Sequence, residues 1–517
     1  MTGMGRSQQD EIERKYDVGA ETVFPNLAEV GVVAAVGQPE ELRLEAVYFD
    51  TAGLDLARHG VTLRRRTGGH DAGWHLKLPK GGDTRTEVHE PLGEDDSETA
   101  PDSLVGQVRA IVRDRPLGPV VRLATTRREY ALRDDEGAVL ATVCDDEVRA
   151  ERLDGGTGSP SAAAQSWREW EVEVDGGAED LLDVLEEELR DAGASPSGSA
   201  SKLRRALGEL PSAGPPGLDD LSKGAARAVL AAHLAEHTAR LQTQDRAVRT
   251  GQAEGIHKLR IAARRLRSTL STWRPLLDQD ATEPVREELR WLGGVLAPAR
   301  DAQVLREHLA DVLAGQPAEL VAGSVAARID DQLGAAYRTG REQALEQLDS
   351  SRYFRLLDAL DVLIESPPLG SDADEPAKKV LERLLRRDTK RLRRAVRAIQ
   401  AAPEPGRQRD VAFHEARKKA KRLRYAGEMA EPVLGKKARS LAKSAKKVQE
   451  ALGVHQDSVV ARERLREMGM QAHLDGENAF TFGRLHGVED GRAAGAEADF
   501  EKAWKKFRRK QLDRWTP

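Results

Sequence analysis

The segment Gly208-Glu-Leu-Pro-Ser-Ala-Gly-Pro-Pro-Gly217 separates two hydrophobic periodicities, and that switch constrains the fold more than any other feature of the chain. Clustered Gly and Pro cannot sustain the interior of a helix or a strand, so the segment reads as an interdomain linker. Before it, apolar and polar residues mostly alternate, which is the period of a half-buried strand. After it, Leu and Ala recur at helical spacing among many Arg and Lys. At 517 residues the chain is too long for one compact core. The switch predicts two units of different class, residues 8–207 and 218–510, joined by 208–217.

Candidate strands lie near residues 8–18, 41–50, 61–67, 72–78, 84–91, 120–133, 138–151 and 166–175. Eight is an even number, as an up-and-down antiparallel barrel needs if its edges are to close. Helical patterns near 25–35, 101–113 and 178–191 are expected to pack outside it, and Gly155–Ser166 reads as a mobile loop between the last two strands.

Successive side chains on a strand point to opposite faces. Glu11, Glu13 and Lys15 therefore share a face, opposite Ile12 and Tyr16. Arg64 and Arg66 share one with Thr62, against Val61 and Leu63, while Lys77 points away from Trp74, Leu76 and Leu78. Glu169, Glu171 and Glu173 oppose Trp170 and Val172. Arg14 and Arg65 are expected on the outer face. If the barrel closes around the charged face, those charges line a tunnel, where they are costly unless partnered. A chain of phosphates bridged by Mg²⁺ or Mn²⁺ is the economical partner. Basic residues suit its oxygens and carboxylates suit the metal.

These residues carry a resemblance to a known family. Residues 8–207 resemble the CYTH family of triphosphate tunnel enzymes, on Glu11-Ile-Glu-Arg-Lys15, Tyr48-Phe-Asp-Thr51, Gly60-Val-Thr-Leu-Arg-Arg-Arg66, Trp74-His-Leu-Lys77, Arg127-Arg128, Asp145-Asp146, Glu169-Trp-Glu-Val-Glu173 and Ser201-Lys-Leu203, in that order. The resemblance implies an α+β domain built on an eight-stranded antiparallel tunnel that hydrolyses a triphosphate with Mg²⁺ or Mn²⁺. It implies Glu11, Glu13, Asp145, Glu171 and Glu173 as metal ligands, and Lys15, Arg64, Arg66, Lys77, Arg128 and Lys202 as triphosphate binders. Glu11, Glu13, Lys15, Glu171 and Glu173 form the implied catalytic set. Parity leaves Asp146 open beside Asp145 and Arg127 open beside Arg128, and Arg85 and Glu87 are weaker additions. Inorganic triphosphate is the substrate that assumes least. A class IV-type adenylate cyclase is the enzymatic alternative, and a non-catalytic polyphosphate-binding scaffold is the alternative outside enzymes.

Beyond the linker, Ile256-His-Lys-Leu-Arg-Ile-Ala-Ala-Arg-Arg-Leu-Arg267 and Phe413-His-Glu-Ala-Arg-Lys-Lys-Ala-Lys-Arg-Leu-Arg424 repeat one pattern. On a helix His257, Arg260, Arg264 and Arg267 fall within an arc of about 80°, opposite Leu259, Leu266 and Leu270. His414, Arg417, Lys421 and Arg424 repeat the stripe, opposite Ala416, Ala420 and Leu423. Residues 256–274 hold six Lys/Arg and no acid, 376–400 ten against two, and 411–450 twelve against four. Solvated helices mix signs to avoid self-repulsion, so three such stretches point to a polyanion. With Leu292-Gly-Gly-Val-Leu-Ala-Pro-Ala-Arg-Asp301 and its counterpart Val448-Gln-Glu-Ala-Leu-Gly-Val-His-Gln-Asp457, residues 218–510 resemble the CHAD family, an all-α bundle of two related halves. The resemblance implies that inorganic polyphosphate binds along a basic groove formed by the two stripes. For His257 and His414, phosphate hydrogen bonding is favoured over metal ligation, because no acid or thiolate stands at ligand spacing.

The basic segments lack the interleaved aromatics of single-strand binders and any base-reading motif, which disfavours nucleic acid. One cysteine, Cys144, excludes an intrachain disulfide framework. No apolar run approaches the ~18–20 residues of a membrane span, and the N-terminus lacks a signal-peptide core. A cytoplasmic protein is expected, with association with polyphosphate granules as an extension of that expectation.

Overall fold

A computed structural model describes residues 7–516 except 29, 82, 94–97, 154–162, 175–178, 211–223, 371–373 and 403–405. Most of the linker and most of the 155–166 excursion thus lie outside the described residues. The chain divides into two compact units, residues 1–214 and 215–517.

In the first unit eight long strands close a barrel. They are β1 (Ser7–Val18), β2 (Glu40–Asp50), β3 (Thr62–Thr67), β4 (Gly73–Gly81), β5 (Thr84–Pro91), β6 (Gly118–Arg133), β7 (Val139–Arg152) and β8 (Gln165–Val174). All neighbours are antiparallel, in the order β1-β5-β4-β3-β2-β6-β7-β8 and back to β1. The closed antiparallel tunnel is present, but it is not up-and-down. β1 sits between β5 and β8, giving Ser7–Ile12 to β5 and Ile12–Val18 to β8. Long connections after β1 and after β5 free those strands from pairing with their sequence successors.

The expected helix over 25–35 does not form among the described residues there. They are turn and extended backbone leading to a two-residue strand, Ala35–Val36, on β6. The apolar spacing serves loop packing instead, since Leu27 and Val33 are buried against Tyr16 and Trp170.

Three longer helices among the described residues cover the outside: α1 (Asp102–Val112), α2 (Glu179–Asp191) and α3 (Lys202–Leu207). α2 lays Leu181, Leu182, Leu185 and Leu189 over Tyr16, Trp170 and Val172. α1 sets Leu104, Val108 and Val112 against Leu63, Trp74 and Leu76, and α3 sets Leu203, Ala206 and Leu207 against Val121 and Val148. Each strand therefore spends its apolar face outward, and the charged face is left to line the interior. The β3–β4 turn requires Gly68, whose φ is +78° and where a Cβ would stand 2.1 Å from the Arg43 carbonyl oxygen.

The second unit is helical: α4 (Ala226–Arg249), α5 (Gly255–Trp273), α6 (Gln279–Val295), α7 (Ala297–Ala314), α8 (Val325–Leu348), α9 (Ser351–Glu365), α10 (Ala377–Gln400), α11 (Arg407–Leu434), α12 (Lys436–Leu474) and α13 (Phe480–Phe507). Its halves begin side by side, with the Ala226 N–H donating to the Glu375 carbonyl and the Ala377 N–H to that of Gly224, both at 3.1 Å. Pro298 lacks an N–H and marks the break between α6 and α7. At its counterpart the second half has Val454, and α12 runs unbroken for 39 residues. α5 and α11, which carry the two basic stripes, pack on each other. Leu259, Leu266 and Leu270 on α5, and Ala416, Ala420 and Leu423 on α11, are buried. Among the described residues no helix is long and apolar enough to cross a membrane.

Candidate active site and basic helix pair

The barrel encloses a cavity of about 470 Å³. Glu11, Glu13 and Lys15 reach it from β1, Arg64 and Arg66 from β3, and Lys77 from β4. Arg85 and Glu87 reach it from β5, Arg127 from β6, and Glu171 and Glu173 from β8. Lys202 enters from the first turn of α3, which Ser201 caps by accepting the Arg204 N–H at 3.1 Å. Arg14 lies outside, paired with Asp83, Asp183 and Glu186.

Two carboxylate clusters lie along the interior, each with ligand oxygens within 4.8 Å of one another: Asp146, Glu169 and Glu171, and Glu11, Glu13 and Glu173. The first is neutralised by the protein itself. Lys202 Nζ stands 2.8 Å from Asp146, 2.8 Å from Glu169 and 2.6 Å from Glu171. Arg127 donates to both oxygens of Asp146 at 2.8 Å and to Glu171 at 2.7 Å, and Lys15 also pairs with Glu171. Burial pushes Glu171 up, but Lys15, Lys202 and Arg127 outweigh it and hold it well below the carboxylate range.

The second cluster is only partly neutralised. Lys77 reaches Glu11 at 2.6 Å, and Lys15 reaches Glu13 at 3.0 Å. Glu13 is held at about 2, where Lys15 and Lys77 overcome its burial. Glu173 has no ion-pair partner among the described residues. Burial, then the neighbouring Glu11, push it up to about 7 against the pull of Lys77 and Arg127. A carboxyl raised by desolvation and by a like charge is relieved by an added cation, and an all-oxygen donor set suits a hard divalent ion. The residues present fit Mg²⁺ or Mn²⁺.

Arg64 and Arg66 face these acids from β3, four strands round the ring from β8. Arg64 donates to the Tyr48 hydroxyl at 3.4 Å, and Arg66 pairs with Asp71. The Nε atoms of both are buried without a hydrogen-bond acceptor among the described residues. Burial, followed by Arg64 and Arg127, presses Arg66 down to about 9. Burial also presses on Arg64, but Tyr48, Glu87 and Glu11 outweigh it and raise Arg64, so the unrelieved positive charge on this wall lies at Arg66.

Two expectations are corrected. Arg127, not Arg128, enters the tunnel: Arg128 is 43% exposed beside Asp145 and Glu147. Asp146, not Asp145, faces inward with it, because the two residues are paired to Arg127 and Arg128 in register. Asp145 is also buried, held on the outer side by Arg168 Nε and Nη2 (2.8 and 2.9 Å) and by Trp170 Nε1 (3.1 Å). His75 received no role from sequence, although it shares its face with Lys77. It is buried, with Nδ1 2.9 Å from Glu87, and so fixes that carboxylate.

In the helical unit α5 and α11 bring Arg260, Arg264, Arg417 and Lys421 together. Burial, then Arg264, Arg417 and Arg260, push Lys421 down to about 6. Arg267 is lowered by burial and by Arg290, Arg264, Arg286 and Arg260. His257 is half-buried and lowered by its burial and by Arg300. Not every stripe residue joins the cluster freely. Arg260 pairs with Asp301 at 2.6 Å and Arg424 with Glu428 at 2.7 Å, while His414 is exposed and bonded to Gln456 at 2.8 Å. Arg264 also donates to Tyr425 at 3.2 Å, tying the two halves together.

A charged antiparallel tunnel followed by a helical bundle of two halves defines a two-domain class of protein. The chain belongs to the family that joins a CYTH domain, matched at residues 9–207, to a CHAD domain, matched at 232–466. Two Mycobacterium tuberculosis proteins are each 39% identical over 512 residues, spanning 96% of this chain and 96% of theirs. Among solved structures, PptA from Streptomyces chartreusis is similar over 55% of this chain and 100% of its own, with 25% identity and a TM-score of 0.46. The CHAD domain from the plant Ricinus communis is similar over 56% of this chain and 94% of its own, with 27% identity and a TM-score of 0.44.

Proposed function

We propose that the chain is a divalent-metal-dependent hydrolase of inorganic triphosphate or a related triphosphate, with a helical domain that binds inorganic polyphosphate. The observation that supports this most is the two-sided tunnel. Arg64 and Arg66 line a wall with buried Nε atoms unbonded among the described residues and unrelieved positive charge at Arg66. Facing it stand Glu11, Glu13 and Glu173, a carboxylate cluster in which Glu173 has no cation partner among the described residues. Pure anion binding would call for cations alone. A metal-bridged phosphate chain satisfies both walls at once.

Bound at Glu11, Glu13 and Glu173, a divalent ion would supply positive charge against the phosphate oxygens and help orient water. Lys15 and Lys77 then exchange carboxylate partners for phosphate oxygens on the same wall. Arg64 and Arg66 stabilise the equatorial oxygens of the transferring phosphoryl group as its bond to the leaving diphosphate loosens. Lys202 and Arg127 hold the cluster of Asp146, Glu169 and Glu171 in place and keep Glu171 ionised. Tyr48, the aromatic residue lining the cavity, turns its hydroxyl to Arg64. The lining is therefore shaped for phosphates more than for a base. Phosphate release from tripolyphosphate, ATP and thiamine triphosphate tests the substrate class. Tripolyphosphate is expected to be turned over fastest, whereas cyclic AMP formed from ATP without tripolyphosphate hydrolysis would favour the cyclase.

For the helical domain, the mutual repulsion around Lys421 supports polyphosphate as the partner, and such binding would place the protein on polyphosphate granules in the cytoplasm. Near pH 7.5 the free protein holds Lys421 mostly neutral. A polyanion raises its pKa, so binding takes up a proton. Calorimetry in two buffers of different ionisation enthalpy should give different heats, and Lys421→Met should remove the difference. Equal heats for the unmodified protein would contradict this. Duplex DNA is expected not to displace the polyphosphate.

A further inference from the structure

On α4 the run His233-Leu-Ala-Glu236-His237 takes no part in the tunnel or the basic helices. Residues three and four apart share one face of a helix. A ring nitrogen of each histidine and an oxygen of Glu236 all lie within 4.8 Å of one another. The two rings meet edge to face, with centroids 4.2 Å apart. His237 is 1% exposed, and neither of its ring nitrogens has a hydrogen-bond partner among the described residues. Buried polar groups are nearly always partnered, so this one calls for an explanation. A histidine that served only as packing would be expected to find a carbonyl or hydroxyl. Burial holds both imidazoles far below their ordinary value, His233 at about 4 and His237 at about 2, so each keeps a lone pair at neutral pH.

We propose that His233, Glu236 and His237 form a zinc site on α4, separate from the carboxylate sites of the tunnel. Two neutral imidazoles and one carboxylate are a donor set for Zn²⁺ with a position left open to water, whereas Mg²⁺ prefers oxygen ligands alone. The half-exposed Glu236 and the edge of His233 give a cation its way in. Glu236 is now held by Arg240 at 2.6 Å, an exposed pair that is easily exchanged. Arg265 is the opposing charge from α5. Its own guanidinium is paired with Glu428 at 2.7 Å and stacked on Tyr425, which offsets part of the repulsion. Zinc would answer one buried nitrogen of His237 and tighten α4.

The test uses the full chain, stripped with EDTA and dialysed against Zn²⁺. Bound zinc is counted for the unmodified protein, His233→Gln and Glu236→Ala, whose side chains lie nearer the surface than His237 and are expected to spare the fold. Circular dichroism checks that they do. The tunnel carboxylates are expected to take zinc as well, so the readout is a difference. Each variant should hold one zinc fewer per chain, and Co²⁺ should lose the visible absorption of nitrogen ligation. An equal zinc count and an unchanged Co²⁺ spectrum in both folded variants would overturn the proposal.

Discussion

Glu173→Gln is expected to make the metal-free protein more stable at pH 8 while removing the stabilisation that Mg²⁺ or Mn²⁺ adds. The folded-state pKa of Glu173 is about 7, above the ordinary 4.5. Between those values the folded chain holds a proton that the unfolded chain has released. Stability contributed by this group is therefore complete below about 4.5 and lost as pH rises through 7. At pH 8 the ionised carboxylate stands buried beside Glu11, at a cost of about 3 kcal/mol. Gln removes that cost, so the metal-free melting temperature should rise at pH 8 and change little at pH 5. The same charge is what attracts a divalent ion, so the metal-dependent rise in melting temperature should shrink or vanish. A variant destabilised at pH 8, or one still stabilised by metal as strongly as the unmodified protein, would show that Glu173 is not the under-compensated member of the cluster.

Lys202→Met is expected to carry the largest stability cost of any single change in the tunnel. Its ammonium is 9% exposed and bridges Asp146, Glu169 and Glu171 at once. Without it, three buried carboxylates share Arg127, Lys15 on Glu171 and the more distant Arg205, 3.7 Å from Glu169. Breaking a buried pair by removing one partner costs about 3–5 kcal/mol. Lys80→Met, which removes an exposed pair with Asp10, should cost less than about 1 kcal/mol. The pH dependence follows in sign. Asp146 and Glu171 have folded values below their ordinary ones, so their stability is present above the carboxylate range and lost as pH falls through those lowered values. Losing Lys202 raises both values, and the deficit of the variant should narrow as pH drops toward 5. Urea denaturation of the two variants at pH 8 and pH 5 measures this; a deficit equal at both would contradict it.

Much of the first unit was legible in the sequence because a barrel covered by helices spends its apolar residues outward. Parity along β1, β3, β4 and β8 then separates Tyr16, Leu63, Trp74 and Trp170 from the charges opposite them. Parity failed on β6 and β7 for a physical reason. Asp145 and Asp146 are both buried, one under Arg168 and Trp170 and the other under Arg127 and Lys202. Alternation of polarity cannot assign a face when both faces bury a carboxylate. The placing of β1 between β5 and β8, and the loop that stands in for a helix at 25–35, depend on long-range pairing that local periodicity does not carry.

The helical unit was legible in its stripes. Leu259 and Leu266 on α5, and Ala420 and Leu423 on α11, mark the packed faces through simple 3.6-residue spacing. The meeting of Arg264 with Lys421 was not visible, because it arises from the packing of α5 on α11. The His233–Glu236–His237 group was also missed. Its signal, two histidines and a glutamate at i, i+3 and i+4, was present in the sequence, but only burial shows that His237 lacks a partner.

The most direct measurement is phosphate release from tripolyphosphate by the full chain, with Mg²⁺ or Mn²⁺ and with EDTA, beside Glu11→Gln. Outer partners of metal ligands are commonly worth about 10–100-fold, so loss of a ligand itself should lower turnover by about 100-fold or more. Turnover that requires metal and collapses in Glu11→Gln is the result predicted here. Turnover indifferent to EDTA and to the substitution would contradict it, as would no turnover by a folded chain that still binds polyphosphate.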